Sequence, residues 1–320
     1  MNDLYLSASE LKKYRIKKIV LNVIIYTFLS IMALFIVIPF YWMIISSFKT
    51  SAEIVDTANF SLFPREWTFG NYVGLFKGGM CTELANGELS CKVDPVPFGW
   101  MYANTIIVGF FTTLLTVVTV VTAAFAFARL NFKGRELIFS LLLATMMIPG
   151  EIFVLTNYMT ISKLGWIRSK DHFENYLALI LPFGTSVFYT FFLRQTFRQI
   201  PNELYLAAKV DGTSDFKYLM KVMIPMAKAS LTTIIILSMI GTWNAYIWPT
   251  FVTNSQMENH LLISNGLQAA FSAASETSGA DSVMGFQMAA SAMVTIPLLV
   301  VFFCFRKYIM SGVSRSGIKG

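Results

Sequence analysis

Charge is what this sequence has least of. Only 13% of its 320 residues are Asp, Glu, Lys or Arg, against 55% hydrophobic and 15% aromatic. Soluble domains carry nearer a quarter, so an ordinary soluble fold is excluded. Histidine is almost absent. His172 and His260 fall in different polar stretches, and neither has an acid and a nucleophile spaced around it. That argues for a non-catalytic chain. No G-x-x-x-x-G-K-S/T spacing occurs, so the chain cannot cradle ATP phosphates by itself, and no bound cofactor is expected. Cysteine is limited to Cys81, Cys91 and Cys304. Two Cys without His neighbours cannot fill a tetrahedral site, so no metal is expected. The formal charge is +7, yet no basic patch is interleaved with aromatics in the manner of a nucleic-acid groove.

What the sequence does have is six long apolar runs: Ile19–Ser46, Asn104–Ala128, Leu137–Tyr158, Leu177–Leu193, Ser230–Pro249 and Met284–Phe305. The first is too long for a cleaved signal peptide and reads as a transmembrane helix. The predicted fold class is therefore an all-α membrane protein with six transmembrane helices. A tail over 1–18 precedes a six-span domain over 19–309, and a second tail covers 310–320. Of the 25 Lys and Arg, 18 fall in residues 1–18 and 305–320, the 129–136 turn and the 194–228 loop. The positive-inside rule then puts both termini and the 194–228 loop in the cytoplasm, with the 49–100 and 250–283 loops outside. In that compartment Cys81 and Cys91 are candidates for a disulfide.

Within the 194–228 loop, Pro201–Pro225 is a polar island between hydrophobic runs. Pro201 suits a first-turn position, and Leu204, Ala207 and Ala208 share one helical face. Gly212 can end that helix in the left-handed conformation, and Thr213 or Ser214 can cap the next. The stretch is either a docking element or a solvated interfacial helix. Trp243, Asn244 and Tyr246 are either interfacial belt residues or a polar-aromatic lining for a translocated sugar. Glu151 follows Pro149-Gly150 and reads as an interfacial acid. Asn254–Asp281, with no Lys or Arg, is either a loop that reaches a partner protein or a disordered surface loop.

The island also carries a resemblance. Ala207-Ala208, then Gly212, then nine residues to Val222, Ile224 and Pro225 is similar to the E-A-A, three residues, G, nine residues, I-x-L-P loop of bacterial ABC importer permeases. Leu206, Val222 and Ile224 depart from it. Phe63–Phe76, Ala124–Glu136 and Phe305–Gly320 extend the likeness to sugar permeases, in particular the second permease of the maltose-type systems. The resemblance implies an ABC type I importer permease fold in a bacterial inner membrane. It implies a homologous permease partner, a dimer of ATP-binding subunits that holds ATP and Mg, an extracytoplasmic solute-binding protein and a carbohydrate substrate. It assigns contact with the ATPase to Glu203, Leu204, Ala207, Ala208, Asp211, Gly212 and Phe216. An ion-driven secondary transporter and a non-transporting membrane receptor or scaffold are the alternatives.

Overall fold

The computed structural model describes residues 8–83, 89–93, 95–253, 260–278 and 280–314. The chain divides into two units, residues 1–93 with 275–293 and residues 94–274 with 294–320.

In the first unit, helix α1 (Ala8–Ser46) begins ahead of its apolar run, so the basic cluster from Lys12 to Lys18 forms helical turns instead of a separate tail. Every side chain from Lys12 to Phe40 is exposed, and from Ile19 onward that surface is one for which a bilayer is the natural solvent. The turn after α1 is held by Asn71, whose Nδ2 donates to the carbonyls of Ser47 (2.9 Å) and Lys49 (2.7 Å). Lys49 is buried. It donates to the Ser61 carbonyl at 2.6 Å and lies 3.8 Å from Glu53, so its charge is both paired and hydrogen-bonded. Short helices α2 (Ser51–Val55) and α3 (Gly70–Lys77) follow. The expected all-α fold needs one correction here. Strands β1 (Gly79–Glu83) and β2 (Leu89–Val93) form an antiparallel hairpin in which Cys81 stands opposite Cys91.

The second unit is built on α4 (Phe98–Arg129), which at 32 residues is about 48 Å long. Helices α5 (Arg135–Thr145), α6 (Gly150–Lys163), α7 (His172–Ile180), α8 (Val187–Gln199), α9 (Asn202–Val210), α10 (Asp215–Tyr218), α11 (Ile224–Met226), α12 (Lys228–Trp243) and α13 (Ile247–Val252) follow. Helices α14 (Ile263–Ser278) and α15 (Ala280–Ser314) complete the chain. Among the described residues, three helices have the length and composition to cross a bilayer: Lys12–Ser46, Phe98–Arg129 and Val283–Lys307. Two bent pairs raise the number to five, α7 with α8 at 52° and the 215–226 segment with α12 at 81°. The predicted third run, Leu137–Tyr158, is two helices, α5 and α6, parted before Pro149. Proline lacks an N–H and disfavours helical geometry at the residue before it. The Asn254–Asp281 segment, expected as a loop, contains α14, whose Ala-rich middle favours helix; residues 254–259 lie outside the described ones.

The bend between α7 and α8 exposes a problem of the membrane interior, where each unpaired backbone group is costly. Pro182 and Gly184 interrupt the helix, and the freed carbonyls of Phe183 and Gly184 accept from Thr116 (3.1 Å) and Thr119 (2.7 Å) of α4. Gly184 allows this approach, since a Cβ there would lie 2.2 Å from a Leu115 methyl and 2.7 Å from its Cγ. Thr119→Val should cost about 1–2 kcal/mol through the orphaned carbonyl and lower the melting temperature in detergent. Thr122→Val, which loses only bonds within its own helix, should melt close to wild type. Equal melting of the two variants would contradict this account of the bend.

Candidate functional site

Helix α9 and its surroundings form the first candidate site. Pro201 is the residue just before the helix, with φ −54° and ψ 135°, instead of lying in its first turn. The expected face is also split. Ala208 packs with Tyr205 against the core around Phe197 and Tyr218, while Leu204 and Ala207 are exposed. Tyr205 decides this, because its ring lies 5.1 Å from that of buried Tyr218 and fixes the helix rotation. Glu203, Asp211 and Phe216 are exposed, with Leu206 and Val210.

The helix ends as its sequence suggests. The Gly212 N–H donates to the Lys209 carbonyl and the Thr213 N–H to that of Ala208. With Gly212 at φ +69°, this is a Schellman closure, which requires the left-handed backbone that glycine tolerates. Ser214 then caps α10, its Oγ accepting from the Lys217 N–H. Asp215 locks the two helices together. It accepts from the Tyr205 hydroxyl at 2.7 Å and from Lys209 Nζ at 2.8 Å. Those bonds hold the Asp215 carboxyl below its ordinary pKa, and the bond to Asp215 raises that of Lys209.

Two arginines fasten this element to the spans. Arg129, at the end of α4, donates to the carbonyls of Phe197 (2.9 Å) and Ile200 (2.5 Å) and to Asn202 Oδ1 (3.3 Å). It thereby satisfies the last turn of α8, where orphan carbonyls attract cations. Arg194 is buried over the Phe139 ring, 3.8 Å from its centre, and donates to the Phe127 carbonyl at 3.0 Å. Its Nη2 meets both oxygens of Glu136 at 2.7 and 2.8 Å, which holds the Glu136 carboxyl below its usual pKa. None of Tyr205, Asp215, Arg129, Arg194 or Glu136 stands out from sequence spacing. The cue available was only that charged residues recur at the ends of apolar runs.

The second candidate is a cavity of about 340 Å³ among α4, α8, α12 and α13. Thr116, Thr185, Ser186, Tyr189, Ser238 and Thr242 line it with hydroxyl-bearing side chains, Thr112 lies on the wall with its own Oγ1 buried, and Phe183 and Trp248 add rings. Trp248 is fixed by its Nε1–H bond to the Ala178 carbonyl at 3.0 Å. Trp243, Asn244 and Tyr246 do not line this cavity. Trp243 packs its ring 5.7 Å from that of Tyr102, Asn244 ends α12 and is exposed, and Tyr246 is exposed. Gly241, Thr242, Ala245, Trp248 and Pro249 form this wall instead. The two histidines, far apart in sequence, meet with ring centres 4.0 Å apart. His260 is buried, and burial, with His172 beside it, lowers its pKa. The Glu151 side chain lies outside the described residues.

Taken together, the fold is that of an ABC importer permease. The chain aligns with a subunit of a bacterial ABC transporter involved in the import of the acidic polysaccharide alginate, with a TM-score of 0.69 over 95% of this chain and 99% of that one. Sequence identity there is 23%. The chain belongs to the family of binding-protein-dependent transport system inner membrane components, whose profile matches residues 117–315. It is 29% identical to the arabinooligosaccharides transport system permease of Bacillus subtilis, over 92% of this chain and 94% of the relative. It is 27% identical to the diacetylchitobiose uptake system permease of Streptomyces coelicolor, over 90% and 85% respectively. The sn-glycerol-3-phosphate transport system permease of Brucella abortus is 26% identical, over 91% and 95%.

The histidine contact gives a pH test. A base whose folded pKa lies below its unfolded value, near 6.5 for His, contributes fully to stability above that value. The contribution is lost as pH falls through the folded pKa. With two histidines in the chain, the melting temperature should fall between pH 7 and 5, and His260→Leu should flatten that slope. An unchanged slope in His260→Leu would contradict it.

Proposed function

We propose that this chain is a membrane-spanning subunit of an ATP-driven importer of a sugar or oligosaccharide. The family membership and the named substrates of the relatives support this reading. The chain would cross the membrane six times with both termini inside, the broken α5–α6 pair making one crossing. It would pair with a homologous permease, two ATP-binding subunits holding ATP and Mg, and an extracytoplasmic solute-binding protein.

One observation carries the reading. On a loop rich in charge, Leu206, Val210 and Phe216 stand 55%, 88% and 70% exposed, beside Leu204 and Ala207. Burying an exposed side chain of this kind in a partner's groove is worth about 1.5–3 kcal/mol. A single hydrogen bond to a charged group is worth about the same. Leu206, where related loops carry glutamate, therefore exchanges a polar contact for an apolar one without weakening the grip. Glu203 and Asp211 would border that contact. The ATPase moves the spans only if it holds α9 differently in its open and closed states, since equal contact shifts nothing. The cavity carries no acidic or basic side chain, which weighs against the ion-driven alternative, a class that needs ion-coordinating groups near the midplane.

Two outcomes follow. Gly212→Val forces a β-branched residue into φ +69°, at a cost of about 1–2 kcal/mol. Membrane insertion should persist while ATP-dependent uptake falls at least tenfold; wild-type uptake would contradict the coupling role. The hairpin register supports a Cys81–Cys91 disulfide, since opposed antiparallel residues have Cα atoms about 4.5–5.5 Å apart, inside the disulfide range. Peptide mapping without reductant should recover the two cysteines linked; two free thiols would contradict it.

A further inference from the structure

Helix α1 holds its cations at a fixed depth. From Ile19 to Phe40 every side chain of this helix is exposed, 22 residues that rise about 33 Å, close to the roughly 30 Å of a bilayer's hydrocarbon. The helix begins to pack at Tyr41, whose hydroxyl donates to the Leu62 carbonyl at 2.9 Å, and the neighbouring Trp42 ring stacks on Phe60 with centres 5.2 Å apart. Tyr and Trp gather at the membrane–water boundary, so this pair marks one edge of the hydrocarbon and Ile19 marks the other. Lys12, Lys13, Arg15, Lys17 and Lys18 occupy the two turns just beyond Ile19, over a rise of about 9 Å. The headgroup layer is about 5–8 Å thick on each side, and the long stems of lysine and arginine bring their charges into it. Exposed Tyr14 sits among them, another residue of that boundary.

We infer that these five residues form a collar that binds the anionic headgroups of acidic phospholipids in one leaflet. The inference needs only that α1 crosses the membrane, and it goes beyond the importer reading. At 3.6 residues per turn the five point to all sides of the helix, with no gap wider than about 100°. A protein partner would cover one side, whereas a leaflet surrounds them all. All five are exposed, and none makes an ion pair among the described residues. Lys12 and Arg15, Arg15 and Lys18, and Lys13 and Lys17 stand three or four residues apart, where like charges oppose the helix. Anions from outside the chain relieve that repulsion. Acidic headgroups supply them at this depth, through an attraction that falls off within a Debye length.

The test uses the full chain in phosphatidylcholine vesicles. A fluorophore is attached at position 14 through Tyr14→Cys, with the three native cysteines replaced by serine. It is quenched with spin-labelled phosphatidylglycerol or spin-labelled phosphatidylcholine. Half-quenching should need about fivefold less of the acidic lipid, the gain from one lysine–headgroup contact. Salt at about 1 M, where the screening length is about 3 Å, should shrink that preference toward equality. Lys12→Gln, Lys13→Gln, Arg15→Gln, Lys17→Gln and Lys18→Gln together should do the same, while arginine at the four lysine positions should keep it. Glutamine matches lysine in helix propensity, and the probe lipids are in both leaflets, so a reversed orientation in the membrane does not change the reading. Equal quenching beside the native cations would leave the collar to an acidic protein surface and overturns the inference. So does a preference that survives the salt or the five glutamines, since the charge of the collar then does not cause it. Neither result bears on sugar uptake, so the importer reading stands or falls separately.

Discussion

Everything in the second unit depends on hydroxyl groups of α4 reaching backbone carbonyls that a broken helix has released. Water cannot satisfy those carbonyls inside hydrocarbon, and the α7–α8 bend at Pro182 and Gly184 removes their helical partners. Thr116 and Thr119 replace them. The bend is thus a fixed corner, and it sets Ser186 and Tyr189 on one wall of the cavity. At its other end the same helix holds the last turn of α8 through Arg129. One rigid spine therefore joins the cavity to the base of α9.

That connection gives the proposed transporter a physical route for force. A push on α9 passes to α10 through Asp215, which binds Tyr205 and Lys209 at once. From there it reaches Tyr218 and the core around Phe197, where α4, α8 and α12 pack together. The buried Arg194, paired with Glu136, ties the start of α5 to α8 at the same level. Breaking such a pair is costly because it strands a charge in a dry site. Little in this chain of contacts is soft enough to absorb a displacement. The 81° bend between the 215–226 segment and α12, with a π-helical turn at Leu219–Met223, is the place where direction changes. Irregular turns of this kind recur at functional sites.

Local chemistry was legible in the sequence, and long-range chemistry was not. Gly212 after A-A-K-V-D, and Ser214 before Asp215, announced the helix end and the next cap because glycine and serine act on their own backbone. The rotation of α9 was missed because Tyr205 answers to Tyr218, a contact that helical spacing within one segment cannot contain. The bonds from Thr116 and Thr119 span 67 and 65 residues. Threonine in an apolar run gives no sign of which carbonyl it will meet. Hydropathy located the runs but not their axes, so the Leu177–Leu193 run proved bent and the Leu137–Tyr158 run parted before Pro149. Trp243, Asn244 and Tyr246 stood out by composition at a helix end, whereas the cavity wall there is made by Gly241, Thr242, Ala245, Trp248 and Pro249, small or apolar residues that composition does not mark.

The central claim is that the exposed apolar side of α9 lies in the cytoplasm and is covered by an ATP-binding partner. It is tested most directly by placing one cysteine at Val210, with the three native cysteines replaced by serine, and labelling with a membrane-impermeant maleimide. Labelling is expected in inside-out vesicles and not in right-side-out cells, and addition of the ATP-binding subunit should block it. Reaction from the outside, or reaction undiminished by that subunit, would contradict the account.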